Sequence, residues 1–160
     1  MKYIKLFENY YTDSYDWGAQ QEDDFIRDVL NLNVDSIKYN IESHSEGGAY
    51  YSDFIEGSMR EEGGFYTWYK DFGTPLHYLV SLETGSEEEE SKKYEMINLI
   101  GSCCIQKQDV NGNTPLHIVA MRNDLEMMEH LLVTDAEYKD LEIKNNEGMT
   151  PFIVSACSCV

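Results

Sequence analysis

Four histidines and four cysteines are the residues of this 160-residue chain whose type and spacing could do chemistry. His77 and His117 each close a Thr-Pro-Leu-His string, at Thr74-Pro75-Leu76-His77 and Thr114-Pro115-Leu116-His117. An imidazole can act as a general base or activate a nucleophile, but no local motif pairs either ring with a Ser or Cys. Cys103-Cys104, and Cys157 with Cys159, could offer thiolates to a metal. Thiolate sites prefer pairs two residues apart or Cys/His sets at defined intervals. The histidines His44, His77, His117 and His130 provide no such set, and alternate residues such as Cys157 and Cys159 point to different sides of a helix. Small apolar packing residues are the better reading of these cysteines. The phosphate-cradling patterns G-x-x-x-x-G-K and G-x-G-x-x-G do not occur, and Gly47-Gly48 and Gly63-Gly64 read as turns. Paired carboxylates discriminate nothing in so acidic a chain. The expectation is no catalytic residue, no metal, no cofactor and no small-molecule substrate.

The histidines matter more for the elements they sit in. Thr is a good helix N-cap, because its hydroxyl can accept from a free N–H of the first turn. Pro suits the first helical position, where no N–H is needed. The Leu that follows then points into a core. A worn third copy stands at Thr150-Pro151-Phe152. The best copy runs from Asp109 through Asn111-Gly112-Asn113 and the tetrad to Leu131-Leu132, with Asn123 or Asp124 placed to turn the chain between two helices.

A T-P-L-H tetrad opening a short helix, in the frame D-x-x-G-x-T-P-L-H-x-A, resembles the ankyrin repeat. Thr74 to Thr114 is 40 residues and Thr114 to Thr150 is 36, against a family period of about 33. The first excess is expected in a solvated loop, Thr84 to Lys93, with the second helix at Tyr94–Ile100 and Leu99-Ile100 matching Leu131-Leu132. The second falls between Thr134 and Asn145. Phe72 stands where the family has its turn Gly, with Gly73 one residue late. A degenerate first copy is expected, with helices at Phe25–Leu30 and Val34–Ile41, because Val34, Ile37 and Ile41 match Leu125, Met128 and Leu132 in spacing. Terminal repeats are often atypical.

The fold class expected from the resemblance is all-α, an ankyrin-repeat solenoid of about three and a half helix-turn-helix units with an aromatic-rich insertion. Residues 1–24 form an acidic, aromatic N-terminal extension and residues 25–160 the repeat domain. That domain divides into a degenerate repeat at 25–41, an insertion at 42–72, repeats at 73–108 and 109–145, and a half-repeat at 146–160. The apolar content of Phe152, Ile153, Val154, Ala156 and Val160 leads us to expect one buried face there. The resemblance implies a histidine that ties neighbouring turns, and a surface that presents loop tips and first helices to another protein.

Charge and aromatics bear on the partner. Thirty Asp and Glu face twelve Lys and Arg, a formal net charge of −18. The excess is spread along the chain. It disfavours direct nucleic-acid binding, which relies on Lys and Arg neutralising phosphates, and favours a basic protein surface. Nine of the twelve Tyr and both Trp precede Phe72. Tyr50, Tyr51, Phe54, Phe65, Tyr66, Trp68 and Tyr69 either cover the open end of the stack or bind a partner. These residues, with the acidic run Glu87, Glu88, Glu89 and Glu90, are the candidate partner-binding residues.

No apolar run approaches the length of a membrane span, residues 1–10 lack the apolar stretch of a signal peptide, and the cysteine pattern is not a disulfide framework. A reducing compartment is expected, the cytoplasm or alternatively the nucleus, with no membrane association. The function expected is that of an acidic, non-catalytic interaction module that binds and inhibits a partner with a basic surface, by analogy with short stacks used in host–virus interaction. Two alternatives stand beside it: a DNA mimic blocking a nucleic-acid-binding protein, and a regulatory fragment of a larger enzyme.

Overall fold

The computed structural model describes residues 27–43, 73–134 and 139–158. Their regular elements are all helices, with no strand among the described residues. After a helical stretch at 27–30 come α1 (Val34–Ser43), α2 (Pro75–Ser81), α3 (Glu87–Cys104), α4 (Pro115–Arg122), α5 (Leu125–Thr134), a 3-10 turn (Lys139–Glu142) and α6 (Pro151–Ser158).

Two rows result. In the inner row α2 packs on α4 and α4 on α6; in the outer row α1 packs on α3 and α3 on α5. Each inner helix of a central pair is backed by the outer helix that follows it, α2 by α3 and α4 by α5. Leu76, Leu79, Met96, Ile97, Ile100, Leu116, Val119, Met127 and Leu131 fill the space between the rows, with Val29 and Ile37 closing the α1 end. Burial of such side chains, at about 25 cal/mol per Å² of apolar surface, is the main force holding the rows together.

Local chemistry sets the ends of these helices. Asn123 takes a left-handed conformation, φ 53, and its N–H reaches the Ala120 carbonyl, ending α4. Asp124 then accepts from the Met127 N–H at 3.0 Å and caps α5. Leu32 adopts the same left-handed turn, φ 51. The hydrogen bonds there, Leu32 N–H to Val29 and Asn33 N–H to Asp28, repeat those of Asn123 to Ala120 and Asp124 to Val119. The turn before α1 is thus built like the turn before α5, although Leu32 has no intrinsic liking for it.

The expected loop at Thr84–Lys93 is not a loop: α3 begins at Glu87, well before Tyr94, and runs on to Cys104. Ser86 accepts from the Glu89 N–H at 3.2 Å, and the Glu89 carboxylate accepts from the Gly85 N–H at 2.8 Å. Ser86 is thus the N-cap, and Glu89 reaches back past it to the residue before. Glu88 pairs with Lys92 one turn on, at 2.7 Å. Four carboxylates in a first turn also complement the helix dipole, so the charge run that reads as solvated loop is a helix start. The far end of the preceding helix is held from α3 as well, where the buried Lys93 donates to the Leu82 carbonyl at 3.2 Å.

Candidate interaction surface

The two tetrads do the same work in two places. Each Thr is the N-cap and each His the N3 residue of a capping box with Pro at the first turn. The Thr74 N–H donates to His77 Nδ1 at 3.0 Å, and the Thr114 N–H to His117 Nδ1 at 3.1 Å. The far nitrogens reach the next repeat: His77 Nε2 lies 2.8 Å from the Asn113 carbonyl oxygen, and His117 Nε2 lies 3.0 Å from that of Met149. A carbonyl only accepts, so Nε2 carries the proton in each ring and Nδ1 is the acceptor. Burial is the main cause holding His77 below the ordinary imidazole range, against a smaller upward pull from its bond to Asn113. Both rings therefore use both nitrogens to tie turns together, a positioning role.

The turns form a polar ladder along one edge. Asp109 Oδ1 accepts from the N–H groups of Asn111 and Asn113, each at 2.8 Å. Asn145 Oδ1 repeats this with Glu147 and Met149, each at 3.0 Å. Rung to rung, Asn145 Nδ2 donates to Asn113 Oδ1 and Asn146 Nδ2 to the Val110 carbonyl, both at 3.0 Å. Gly112, at φ 75, permits this stacking, for a Cβ there would lie 2.7 Å from the Asn146 backbone nitrogen. Gly73, one residue later in its frame than Gly112, also takes a positive φ of 83.

Of the candidate partner-binding residues, Tyr50, Tyr51, Phe54, Phe65, Tyr66, Trp68 and Tyr69 lie outside the described residues. Glu87, Glu88, Glu89 and Glu90 are all exposed on the first turn of α3. The Lys92 ammonium beside Glu88 holds that carboxyl below its usual range and is itself pushed up in return. Arg122 reaches Glu83 at 3.4 Å, and Lys38 pairs with Glu95. The cations of this region are largely spent on neighbouring carboxylates or, for Lys93, on a backbone carbonyl. Negative charge remains over the outer row. It is felt at Tyr94, whose phenol is pushed up by partial burial and then by Glu126, Asp124 and Glu90.

Two expectations fail at the α6 end. Phe152 occupies the position of Leu76 and Leu116, both fully buried, yet is 77% exposed. Between Pro151 and Cys157 only Pro151 and Val154 are buried. Among the described residues no outer helix backs α6 as α3 backs α2, so the inward-facing position has nothing to meet. Cys157 is an exposed free thiol, so the packing explanation does not apply to it. Among the described residues no group of His, Cys, Asp or Glu is placed to hold a metal ion, and no helix is long and apolar enough to cross a membrane.

No motif marks the groove beside Phe152, about 230 Å³, bounded by α4, α5, the 3-10 turn and α6. Its sequence signal was weak. Leu125, Met128 and Leu132 share one face of α5, but whether that face is covered depends on a neighbour that the motif does not specify.

Paired helices stacked into two rows, joined by hydrogen-bonded turns, make this a helical-repeat solenoid. A family model described as ankyrin repeats (3 copies) matches residues 88–159, and this part of the chain carries ankyrin repeats. Comparison with curated proteins and with solved structures found no match. Ankyrin repeats generally mediate protein–protein interaction and are typically non-catalytic, and this chain carries the interaction scaffold.

Proposed function

We propose that this protein is an acidic, non-catalytic interaction module that engages a basic surface on another protein and inhibits that partner by occupying it. The observation that carries the reading is the exposed carboxylate turn at the start of α3, in a region whose cations are mostly engaged locally. Such a field steers a basic partner inward and slows a neutral or acidic one. The aromatic residues between Tyr50 and Tyr69 supply anchors in this reading, since Tyr and Trp combine large contact area with a polar handle. The cytoplasm or the nucleus is the compartment that suits free thiols.

A DNA mimic would present a ridge of evenly spaced carboxylates. Consecutive residues Glu87 to Glu90 instead fan around a helix end at about 100° per residue, which favours a general acidic surface. The test is to identify proteins captured by the purified chain, then to measure association kinetics for each with the wild type and with Glu87→Gln/Glu90→Gln. These two carboxylates are preferable to Glu88 and Glu89, which hold the Lys92 pair and the helix cap. An association rate that falls in the variant supports the reading. A rate unchanged for every captured protein ends it.

A further inference from the structure

The α6 end of the stack carries an apolar groove that the interaction surface described above does not use. Val119 of α4, Leu125, Met128 and Leu132 of α5, Leu141 of the 3-10 turn and Phe152 of α6 line it. Leu125 is 70% and Phe152 77% exposed. The fold defines what shape fits. Elsewhere in the stack, the space over an inner helix and beside an outer one is filled by a helix: α3 lies over α2, and α5 lies over α4 and beside α3. The space over α6 and beside α5 has the same two walls and no helix among the described residues.

We infer that this groove binds the apolar face of an amphipathic helix with basic flanks, supplied by another protein. The apolar floor asks for side chains at i, i+3, i+4 and i+7, as in other helix-in-groove complexes. The flanking charge is set by the rim. Asp124 lines the groove together with Asn123 and Ser155, and no Lys or Arg among the described residues lines it. Glu142, next to Leu141 in sequence, is exposed. Lys or Arg on the edges of the incoming helix would meet these carboxylates. A second copy of this chain is a poor occupant, because two bodies of formal charge −18 approach against mutual repulsion. In the sign of the flanking charge this inference rests on the proposed preference for basic partners; the groove itself does not depend on it.

The probe is a designed helical peptide of about four turns with Leu on one face, made with either Lys or Glu on its flanks and a fluorophore at one end. Anisotropy titration against the full chain should give saturable binding for the Lys peptide and weaker binding for the Glu peptide. Leu125→Ser and Phe152→Ser, both at exposed positions, should each weaken the Lys peptide by about tenfold or more while thermal unfolding stays near wild type. Glu87→Gln/Glu90→Gln should leave peptide affinity within about twofold, since those side chains lie outside the groove. Loss of affinity in that variant alone would place the peptide on α3 and overturn the groove while sparing the proposed function. Equal binding of the two peptides would remove the basic flank from the proposal and so overturn it. So would an absence of saturable binding, as expected of a groove filled within its own chain, or a dimer in sedimentation that Phe152→Ser dissolves.

Discussion

His77 Nε2 donates to the carbonyl of Asn113 across 2.8 Å, while Nδ1 of the same ring accepts the N–H of Thr74. One buried imidazole thus closes its own helix start and fastens the next repeat's turn. It can do both only when neutral, because a second proton on Nδ1 would face the Thr74 N–H with no lone pair to offer.

Stability should therefore fall as pH falls through the imidazole range. The unfolded His77 takes up a proton near its ordinary value of 6.5, while the folded one resists until a lower pH. The unfolded state then binds more protons, and the unfolding free energy decreases with falling pH by at most about 1.4 kcal/mol per pH unit for this group. The loss begins near pH 6.5 and is complete below the lowered folded value. Urea unfolding from pH 7.5 to 5 checks it, with His77→Gln expected to be less stable at pH 7.5 and flatter across the range. A wild-type midpoint that does not move in that window contradicts the assignment.

Equivalent positions in the tetrads should respond unequally to truncation. Leu116→Ala opens a cavity between the rows and should cost about 2–5 kcal/mol. Phe152→Ala, at the same place in its tetrad but mostly exposed, should stay within about 0.5 kcal/mol. Chemical denaturation of the two variants side by side measures the difference.

The two glycines Gly73 and Gly148 separate conformational strain from steric clash. Both have positive φ, 83 and 77. A Cβ at Gly148 would meet nothing within 4 Å, whereas one at Gly73 would lie 2.8 Å from His77 Cγ. Gly148→Ala should cost about 1–2 kcal/mol, the left-handed penalty alone. Gly73→Ala should cost more and also disturb the imidazole, visible as a changed pH dependence of unfolding.

How much of this was legible in the residues follows from what each motif encodes. Thr74, Thr114 and Thr150 mark helix starts because capping is local chemistry, and α2, α4 and α6 begin where that chemistry places them. The start of α3 differs from the expected loop because solvation of the charges at Glu87 to Glu90 says nothing about backbone conformation. The Ser86 cap, whose hydroxyl accepts from the Glu89 N–H, is equally local and decides the outcome. The 40-residue spacing from Thr74 to Thr114 is in large part spent on an 18-residue helix. The exposure of Phe152 was not legible at all, since burial at that position comes from a second helix across the groove and not from the tetrad. For the candidate surface, the acidic turn was visible as composition. Its electrostatic weight depends on where Lys92, Lys93 and Arg122 are engaged, which only packing reveals.

Binding to a basic partner should depend on salt mainly through the association rate. Steering by exposed carboxylates acts before contact, over a screening length of about 8 Å at 0.15 M salt and about 3 Å at 1 M. Raising salt should thus slow association by one or more orders of magnitude, roughly as seen for electrostatically steered pairs. Dissociation, governed by short-range contacts, should change less. Tyr51→Ala and Phe65→Ala should show the opposite pattern, faster dissociation with little change in association, if those aromatics are anchors. Their thermal midpoints should stay near wild type, whereas residues that cover the stack would unfold the protein when truncated. Stopped-flow kinetics at low and high salt, on wild type and both aromatic variants, read all of these outcomes together. An association rate indifferent to salt would leave the charge of −18 with solubility as its role.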